Sequence, residues 1–519
     1  MFLITRFENQ NLLMIQLTAK YLRETNYSSK LKDFENAFYS HPNYPSLLAI
    51  TDSLTQLEIE NIAANVPFIH IDQLPDSFIT FLKIKKEDYY LIKKNGINFS
   101  IENEKEEKQN LSIEELEKCW TGVILVIEEN EEKPIKYTLE KSNFIVSFLL
   151  IITSLISVYF NELNTTQTIF LIILVIGIYI SIEILKTYFK ENQQNESKFC
   201  SLTEKFSCNS IINSKNYAFS NYVEFVDLPI VFFSTAFFSQ ILGFNSFYLF
   251  GFASLISFPF ILYSIYLQKF VLKKWCLLCL LVAFLMIGLA ILFIFKNEYL
   301  TFRNQHLFSI LILTISFSTA WFFIKKQLLE AKSNFYKLNN LLRFKRKEDV
   351  FTNISKPIAN KVEFESLEKI VIGNESAKNT ITLFLSPSCP HCHTAYKNAI
   401  ELYKKYEEQL KIELCFNLNI NNTDNPYLIV YKTILSLYNT QNKQYQIALE
   451  DWHIKKQSLD EWKSKWFTEQ DFNIENNQIE KQYQWCLEAN LNHAPIKIFN
   501  GLFLPNIYEI NELVYFFKE

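Results

Sequence analysis

Apolar residues are spread unevenly along this 519-residue chain: both ends are charged, and the middle, from about Asn143 to Ile324, is mostly apolar. The middle breaks into six apolar segments, Phe144–Phe160, Ile169–Leu185, Leu228–Leu242, Phe247–Leu267, Trp275–Phe295 and Leu307–Ile324. Several are near the lower limit for crossing a roughly 30 Å hydrocarbon core, and the third is the weakest. Before them, residues 1–140 read as a soluble mixed domain. Helical periodicity around Leu12–Arg23 and Pro45–Leu57 precedes β-like runs at Pro67–Ile71, Tyr89–Ile92 and Gly122–Ile127. The Lys-Glu-Asn run Glu102–Asn110 reads as a solvated loop. Residues 326–359 form a basic linker, read as a solvated helix that starts with Lys325 and Lys326 and runs to Lys347. Residues 360–519 read as a second soluble domain: strand Thr380–Leu385, a turn and a helix, an Asn/Gln/Lys-rich helical stretch, strand Ile496–Phe499 and a closing helix.

Composition adds exclusions. A net charge of −4 offers no nucleic-acid signature, and a mean hydropathy near zero only averages the charged ends with the apolar middle. The first twenty residues lack a continuous apolar core and a small-residue cleavage site, so no signal peptide is expected there.

Candidate chemistry lies in the cysteines. Six of the nine form close pairs, Cys200/Cys208, Cys276/Cys279 and Cys389/Cys392. Thiol–disulfide exchange passes electrons only between sulfurs that can touch, so a dithiol in a membrane segment beside two others suggests an electron path. Cys389 follows the apolar run ITLFL and opens a helix, where unpaired amides and the helix dipole favour a thiolate, which suits an attacking sulfur. Cys392, one turn on, is then the resolving sulfur. A zinc reading needs two further ligands at regular spacing; His391 and His393 are adjacent, but no second C-x-x-C follows, and no metal is expected. Cys276 and Cys279 stand at i and i+3 and share a helix face. Cys119, Cys415 and Cys486 have no near partner in sequence, and Cys415 in the run Ile412–Phe416 reads as core.

The C-terminal segment resembles the thioredoxin fold: Ser386-Pro-Ser-Cys-Pro-His-Cys-His393 carries the dithiol, and Ala494-Pro495 before IKIFNG matches the cis-proline loop that faces it. The Pro-His dipeptide and the helical insertion between Asn421 and Gln484 are similar to strongly oxidising members. The resemblance implies disulfide exchange with protein thiols, with Ala494 and Pro495 on the substrate-facing loop. In the middle, C-x7-C, a serine six residues on, two helices and a C-x-x-C together resemble the vitamin K epoxide reductase family over about residues 166–325. That resemblance implies a four-helix quinone-reductase core with flanking helices over 143–325, Cys276 and Cys279 as the quinone-facing pair, Cys200 and Cys208 as the shuttle pair, and Ser214 as a hydrogen-bond partner of a menaquinone- or ubiquinone-type cofactor. The implied route runs from substrate dithiol to Cys389/Cys392, then Cys200/Cys208, then Cys276/Cys279, then quinone.

At the N-terminus, His41-Pro-Asn-Tyr-Pro-Ser, Glu58-Ile-Glu-Asn-Ile-Ala and Trp120-Thr-Gly-Val-Ile-Leu resemble the C39 peptidase-like domain, an α+β papain-like fold, over residues 1–140. The early helix has no cysteine, the expected histidine position falls near Asp88 or Tyr89, and Cys119 comes too late. Without a thiolate there is no acyl intermediate, so a catalytically inactive relative is expected.

The whole chain therefore reads as a multi-domain membrane thiol:quinone oxidoreductase that forms disulfides in exported proteins, with the lipid bilayer and a membrane quinone as further partners. Three redox pairs in series suit an oxidising compartment, which places the redox domains on the periplasmic side of a bacterial inner membrane. The loops Asn161–Thr165 and Gly243–Phe247 lack Lys and Arg, and the basic linker prefers the cytoplasm, so loop charge points the other way. An alternative function is an accessory for peptide or bacteriocin export or maturation through the C39-like domain.

Overall fold

The computed structural model describes residues 14–84, 87–96, 98–103, 108–130, 141–189, 224–244, 246–272, 275–295, 304–469 and 472–518. Its contacts divide the chain into two compact units, Met1–Asn340 and Leu341–Glu519.

In the N-terminal part, helices α1 (14–24), α2 (Leu31–Tyr39) and α3 (Leu47–Gln56) precede an antiparallel sheet. Its strands are β1 (Asn61–Asn65), β2 (Ser77–Lys83), β3 (Glu87–Asn95), β4 (Asn98–Glu102), β5 (Lys108–Leu111) and β6 (Trp120–Ile127), in the order β1-β6-β2-β3-β4-β5. Alternation along the strands sorts side chains to two faces. Ile79, Leu91 and Leu125 pack against Tyr21, Leu22, Phe38 and Ile50 of the three helices. Phe78, Ile92 and Ile124 face the opposite way, onto Leu116 and Cys119 of α4 (Ile113–Cys119). The Tyr21 hydroxyl donates to the Ser77 carbonyl at 2.6 Å and ties α1 to β2. Two expectations need correction. Pro67–Ile71 is not a strand: Phe68–Gln73 forms a 3₁₀ helix that starts directly after Pro67. The run Glu102–Asn110 is not simply a loop: β4 ends at Glu102, and Lys108–Leu111 pairs with it across the hairpin.

The apolar middle forms α5 (Lys141–Phe160), α6 (Thr165–Phe189), α7 (Asp227–Ile241), α8 (Phe247–Ile256), α9 (Phe258–Tyr266), α10 (Leu277–Phe295) and α11 (Asn304–Lys345). Helix α6, helix α10 and residues His306–Lys345 of α11 are long and apolar enough to cross a membrane. Helix α8 and the stretch Phe258–Val271, bent by 40°, form a fourth candidate span. Phe148–Phe160 and α7 are apolar but shorter, so the expected six segments are all helical and only some reach spanning length. Phe284, Phe295, Phe308 and Phe323 point outward, as expected of helices meeting lipid. Helices α6 and α7 approach closely at Gly177, where a Cβ would fall 2.3 Å from the Phe233 ring.

The second unit is a mixed sheet flanked by helices. Strands β7 (Lys356–Pro357), β8 (Ile370–Ile372), β9 (Asn379–Leu385), β10 (Leu410–Phe416), β11 (Ile496–Phe499) and β12 (Leu502–Phe503) run in the order β7-β12-β11-β9-β10-β8. Central β9 is parallel to β10 and antiparallel to β11, the arrangement of a thioredoxin fold. Helices α12 (Glu348–Ile354) and α13 (Lys361–Ser366) precede β8, and α14 (Pro390–Lys405) connects β9 to β10. Between β10 and β11 come α15 (Leu428–Asn439), α16 (Tyr445–His453), α17 (Leu459–Trp466) and α18 (Asn473–Glu488), the helical insertion. The expected closing helix is a 3₁₀ helix, Ile510–Phe516. Cys415 is fully buried in β10, as its apolar run required.

Candidate functional site

Strand β9 delivers the chain to the mouth of α14 and Cys389 becomes the N-cap, with Pro390 starting the helix, where proline costs no hydrogen bond. The Cys389 thiol is partly accessible and donates to the Ala494 carbonyl at 3.2 Å. That contact brings the loop and the dithiol together, and the Ala494–Pro495 bond is cis. Cys392, one turn on, is completely buried, and its sulfur accepts the Ser386 N–H at 3.3 Å. Burial pushes the Cys392 thiol well above its ordinary range, and the Ser386 hydrogen bond only partly opposes this. One sulfur is thus accessible, while burial holds the proton on the other behind it. The Trp452 indole buttresses the turn through the Pro387 carbonyl at 3.1 Å.

The membrane dithiol lies at the start of α10. Gln268, buried beneath it, accepts the Cys276 N–H at 2.9 Å, and the Cys279 N–H donates to the Cys276 sulfur at 3.2 Å. Cys276 is completely buried, whereas Cys279 opens onto a cavity of about 400 Å³. Phe225, Phe232 and Met286 make its wall apolar, with Thr235 and Ser264 among the few hydroxyls. A flat quinone ring, apolar on its faces with two carbonyl oxygens at its edges, fits a lining of this kind and size. Cys200, Cys208 and Ser214 lie outside the described residues.

Two clusters escaped sequence reading. Lys325 is not a solvated headgroup lysine: it is buried, with its ammonium 2.8 Å from Asp227 and 3.1 Å from Glu224, and the Trp321 indole donates to Asp227 at 2.9 Å. Tyr188 at the end of α6 lies beneath the same ammonium. The end of α6, the start of α7 and the Lys325 level of α11 therefore meet at one end of the bundle, and Phe225 and Ile184 bring the cavity holding Cys279 to the same end. The available signal was an acid opening one apolar segment and a lysine closing another. The second cluster joins His393, His453 and Tyr431 in the thioredoxin-like unit; the sequence places these residues far apart and offers no signal.

In the N-terminal part, Cys119 ends α4 and its thiol donates back to the Glu115 and Leu116 carbonyls at 3.4 and 3.3 Å, with burial pushing it up. His41, buried, faces Asp52 at 3.1 Å. Asp88 and Tyr89 lie on β3. These placements set no cysteine beside a histidine among the described residues.

Three family models match the chain: the Peptidase C39 family over 16–132, the Vitamin K epoxide reductase family over 168–294 and Thioredoxin over 365–498. A comparison with curated proteins returned no match. Among solved structures, a periplasmic thioredoxin-like protein from Salmonella enterica serovar Typhimurium is 16% identical and aligns over 31% of this chain and 95% of its own, with a TM-score of 0.27. The catalytic domain of Proteus mirabilis ScsC is 14% identical over 30% of this chain and 91% of its own, with a TM-score of 0.25. Oxidised BdbD from Bacillus subtilis is 14% identical over 31% and 94%, with a TM-score of 0.24. This chain therefore joins a Peptidase C39 region, a Vitamin K epoxide reductase region and a thioredoxin region in that order, the combination of a multi-pass membrane oxidoreductase acting on thiols.

Proposed function

We propose that the protein oxidises thiols of exported proteins and passes the electrons through its three dithiols to a membrane quinone. The observation that carries this reading is Cys279 opening onto an apolar cavity at the start of α10, with its partner Cys276 sealed behind it. A substrate thiolate attacks Cys389; Cys392 leaves, and a second substrate thiol releases a substrate disulfide and the reduced pair. Cys389 then attacks Cys200, and Cys208 carries the electron pair onward to Cys276. Gln268 holds the Cys276 backbone at the helix start, and the wall of Phe225, Phe232 and Met286 excludes water around Cys279. A quinone bound there supplies the oxidising power, accepting two electrons and two protons, with Ser214 and Cys279 as the residues that would meet it. The N-terminal domain serves as a non-proteolytic docking module, since among the described residues no thiol dyad supports the C39 chemistry.

Orientation belongs to the same proposal: the dithiols face the oxidising side of a bacterial inner membrane, and the buried Lys325 removes one charge from the basic stretch that argued for the cytoplasm. The test is a purified full-length chain given a reduced dithiol peptide and a short-tailed soluble quinone, with quinone absorbance followed. Dithiol-dependent bleaching that is lost in both Cys276→Ser and Cys389→Ser is the expected result. Bleaching that survives Cys276→Ser sinks the route, and no bleaching in the parent sinks the function.

A further inference from the structure

Buried Cys392 cannot act as a nucleophile while it keeps its proton. The Tyr431 hydroxyl, completely buried on α15, shares a core cluster with Cys392, and after burial the charges of Cys392 and then Cys389 push it up most. It lies 3.2 Å from Nε2 of His453, the last residue of α16, which is itself buried. Nδ1 of His453 lies 3.0 Å from Nδ1 of His393, which is half-buried one residue beyond Cys392 on α14. Two facing Nδ1 atoms at this distance share one proton. With the tyrosine O–H donating to Nε2 of His453, that imidazole carries its proton on Nδ1, so Nδ1 of His393 accepts and its Nε2–H turns outward. The three groups thus form an ordered file of donors and acceptors from the dithiol toward the surface.

We propose that Tyr431, His453 and His393 form a proton relay that carries the Cys392 thiol proton to solvent when Cys392 resolves a mixed disulfide on Cys389, and returns one when the Cys389–Cys392 disulfide is reduced. This rests on the redox reading of that pair. In the resolving step the Cys392 S–H, through one bridging water, gives its proton to the Tyr431 oxygen as the tyrosine proton moves to Nε2 of His453. The Nδ1 proton of His453 passes to Nδ1 of His393, and the Nε2 proton of His393 leaves to water. The Cys392 thiolate attacks the Cys389 sulfur, the Cys389–Cys392 bond forms, and the partner leaves as a thiolate that takes a proton from solvent. The cysteine pair is oxidised by two electrons and the partner sulfur is reduced. Both imidazoles now carry their protons on the opposite nitrogens, which is the arrangement that feeds a proton inward when a substrate reduces the disulfide and Cys392 leaves. Each turnover therefore resets the file.

The surroundings suit this role. Tyr396 from α14 packs on the His453 ring at 5.0 Å, Glu450 lies on α16 and acts on Tyr396, and Lys456 acts on His393 from the turn after α16. Burial, with some help from Lys456 at His393 and from His393 at His453, holds both imidazoles below their ordinary range, so both are neutral and able to accept at neutral pH.

The full-length chain with Cys200, Cys208, Cys276 and Cys279 changed to serine, reduced and mixed with oxidised glutathione, separates the two steps. Formation of the Cys389–glutathione mixed disulfide reports attack, and its decay reports resolution by Cys392. In the parent, resolution is expected to be flat with pH from about 6.5 to 9. In Tyr431→Phe and His453→Asn it is expected to fall about 100-fold at pH 7 and to rise with hydroxide until the gap closes near pH 9, while attack is unchanged. Resolution in both variants at the parent's rate and pH profile overturns the relay, and so does an equal loss in both steps with the parent's profile retained, which marks a structural role. Tyr431→Phe keeps the ring stacked on Phe416 at 3.8 Å, so the test survives a poorly folded His453 variant. A parent that forms no mixed disulfide overturns the redox reading itself.

Discussion

Cys389 and Cys392 share one turn of helix but not one environment, and that difference makes their chemistry directional. In the reduced full-length chain at pH 7.5, iodoacetamide is expected to modify Cys389 at least about tenfold faster than Cys392, as read by peptide mass mapping, because burial keeps the proton on Cys392 through pH 9. Equal rates would show that the burial is not maintained in solution. Glu413 shows the opposite sign. Burial alone would raise it, but Lys369 at 3.0 Å, the Thr382 hydroxyl at 2.9 Å and Lys411 at 3.4 Å outweigh burial and hold the carboxyl below its ordinary value. A depressed carboxylate contributes stability above its unfolded value of 4.5, and loses it as pH falls through the folded value. Glu413→Gln is therefore expected to cost about 3 kcal/mol at pH 7, seen in denaturant unfolding of the second unit, with the deficit shrinking below pH 4.5. At this scale the cysteine pairs were readable because spacing along the chain is their signal. Tyr431 and His453 were not, since their roles depend on partners supplied by another helix.

Among elements, α6, α7 and α11 are joined by contacts of two kinds. The Asp227–Lys325 pair links the start of α7 to α11 inside an apolar bundle, so removing one partner leaves a buried charge alone. Asp227→Asn and Lys325→Met are each expected to lower thermal stability in detergent, and the double variant to recover part of the loss, with a coupling of about 1–3 kcal/mol in the cycle. Strict additivity would remove the pair from the account. The α6–α7 contact instead depends on the missing Cβ of Gly177; Gly177→Ala drives a methyl into the Phe233 ring and is expected to cost about 1–3 kcal/mol, visible as a lower melting temperature and reduced yield. Apolar segments long enough to matter were identified correctly from hydropathy, whereas β1, β2 and β4 went unread. β1 and β4 are short and carry polar residues on their open faces, and each is a strand only because a neighbour pairs with it.

For the whole molecule the question is which side of the membrane each part occupies. The α11 residue Phe335 lies against Tyr39 of α2, at 5.9 Å, ten residues beyond Lys325, so the N-terminal domain sits at the same end of the bundle as Asp227 and Lys325. The cavity that Cys279 opens onto lies at that end too. Shared sidedness follows, and loop charges alone could not supply it. In cells carrying single-cysteine versions, an impermeant maleimide is expected to label a cysteine introduced at exposed Ile62 of the N-terminal domain without lysis, as the proposed orientation requires. Protection of that cysteine until lysis would reverse the orientation.

The sequence by itself determined the order of the three regions, the apolar middle and the cysteine pairs, because hydropathy and i to i+3 spacing are properties of neighbouring residues. Tertiary structure decided which sulfur is buried and which is met, that Cys279 opens onto a cavity, that Lys325 is paired, and that two histidines and a tyrosine stand in file behind the dithiol. Burial, pairing and proton transfer depend on groups brought together from distant parts of the chain, and no local pattern encodes them.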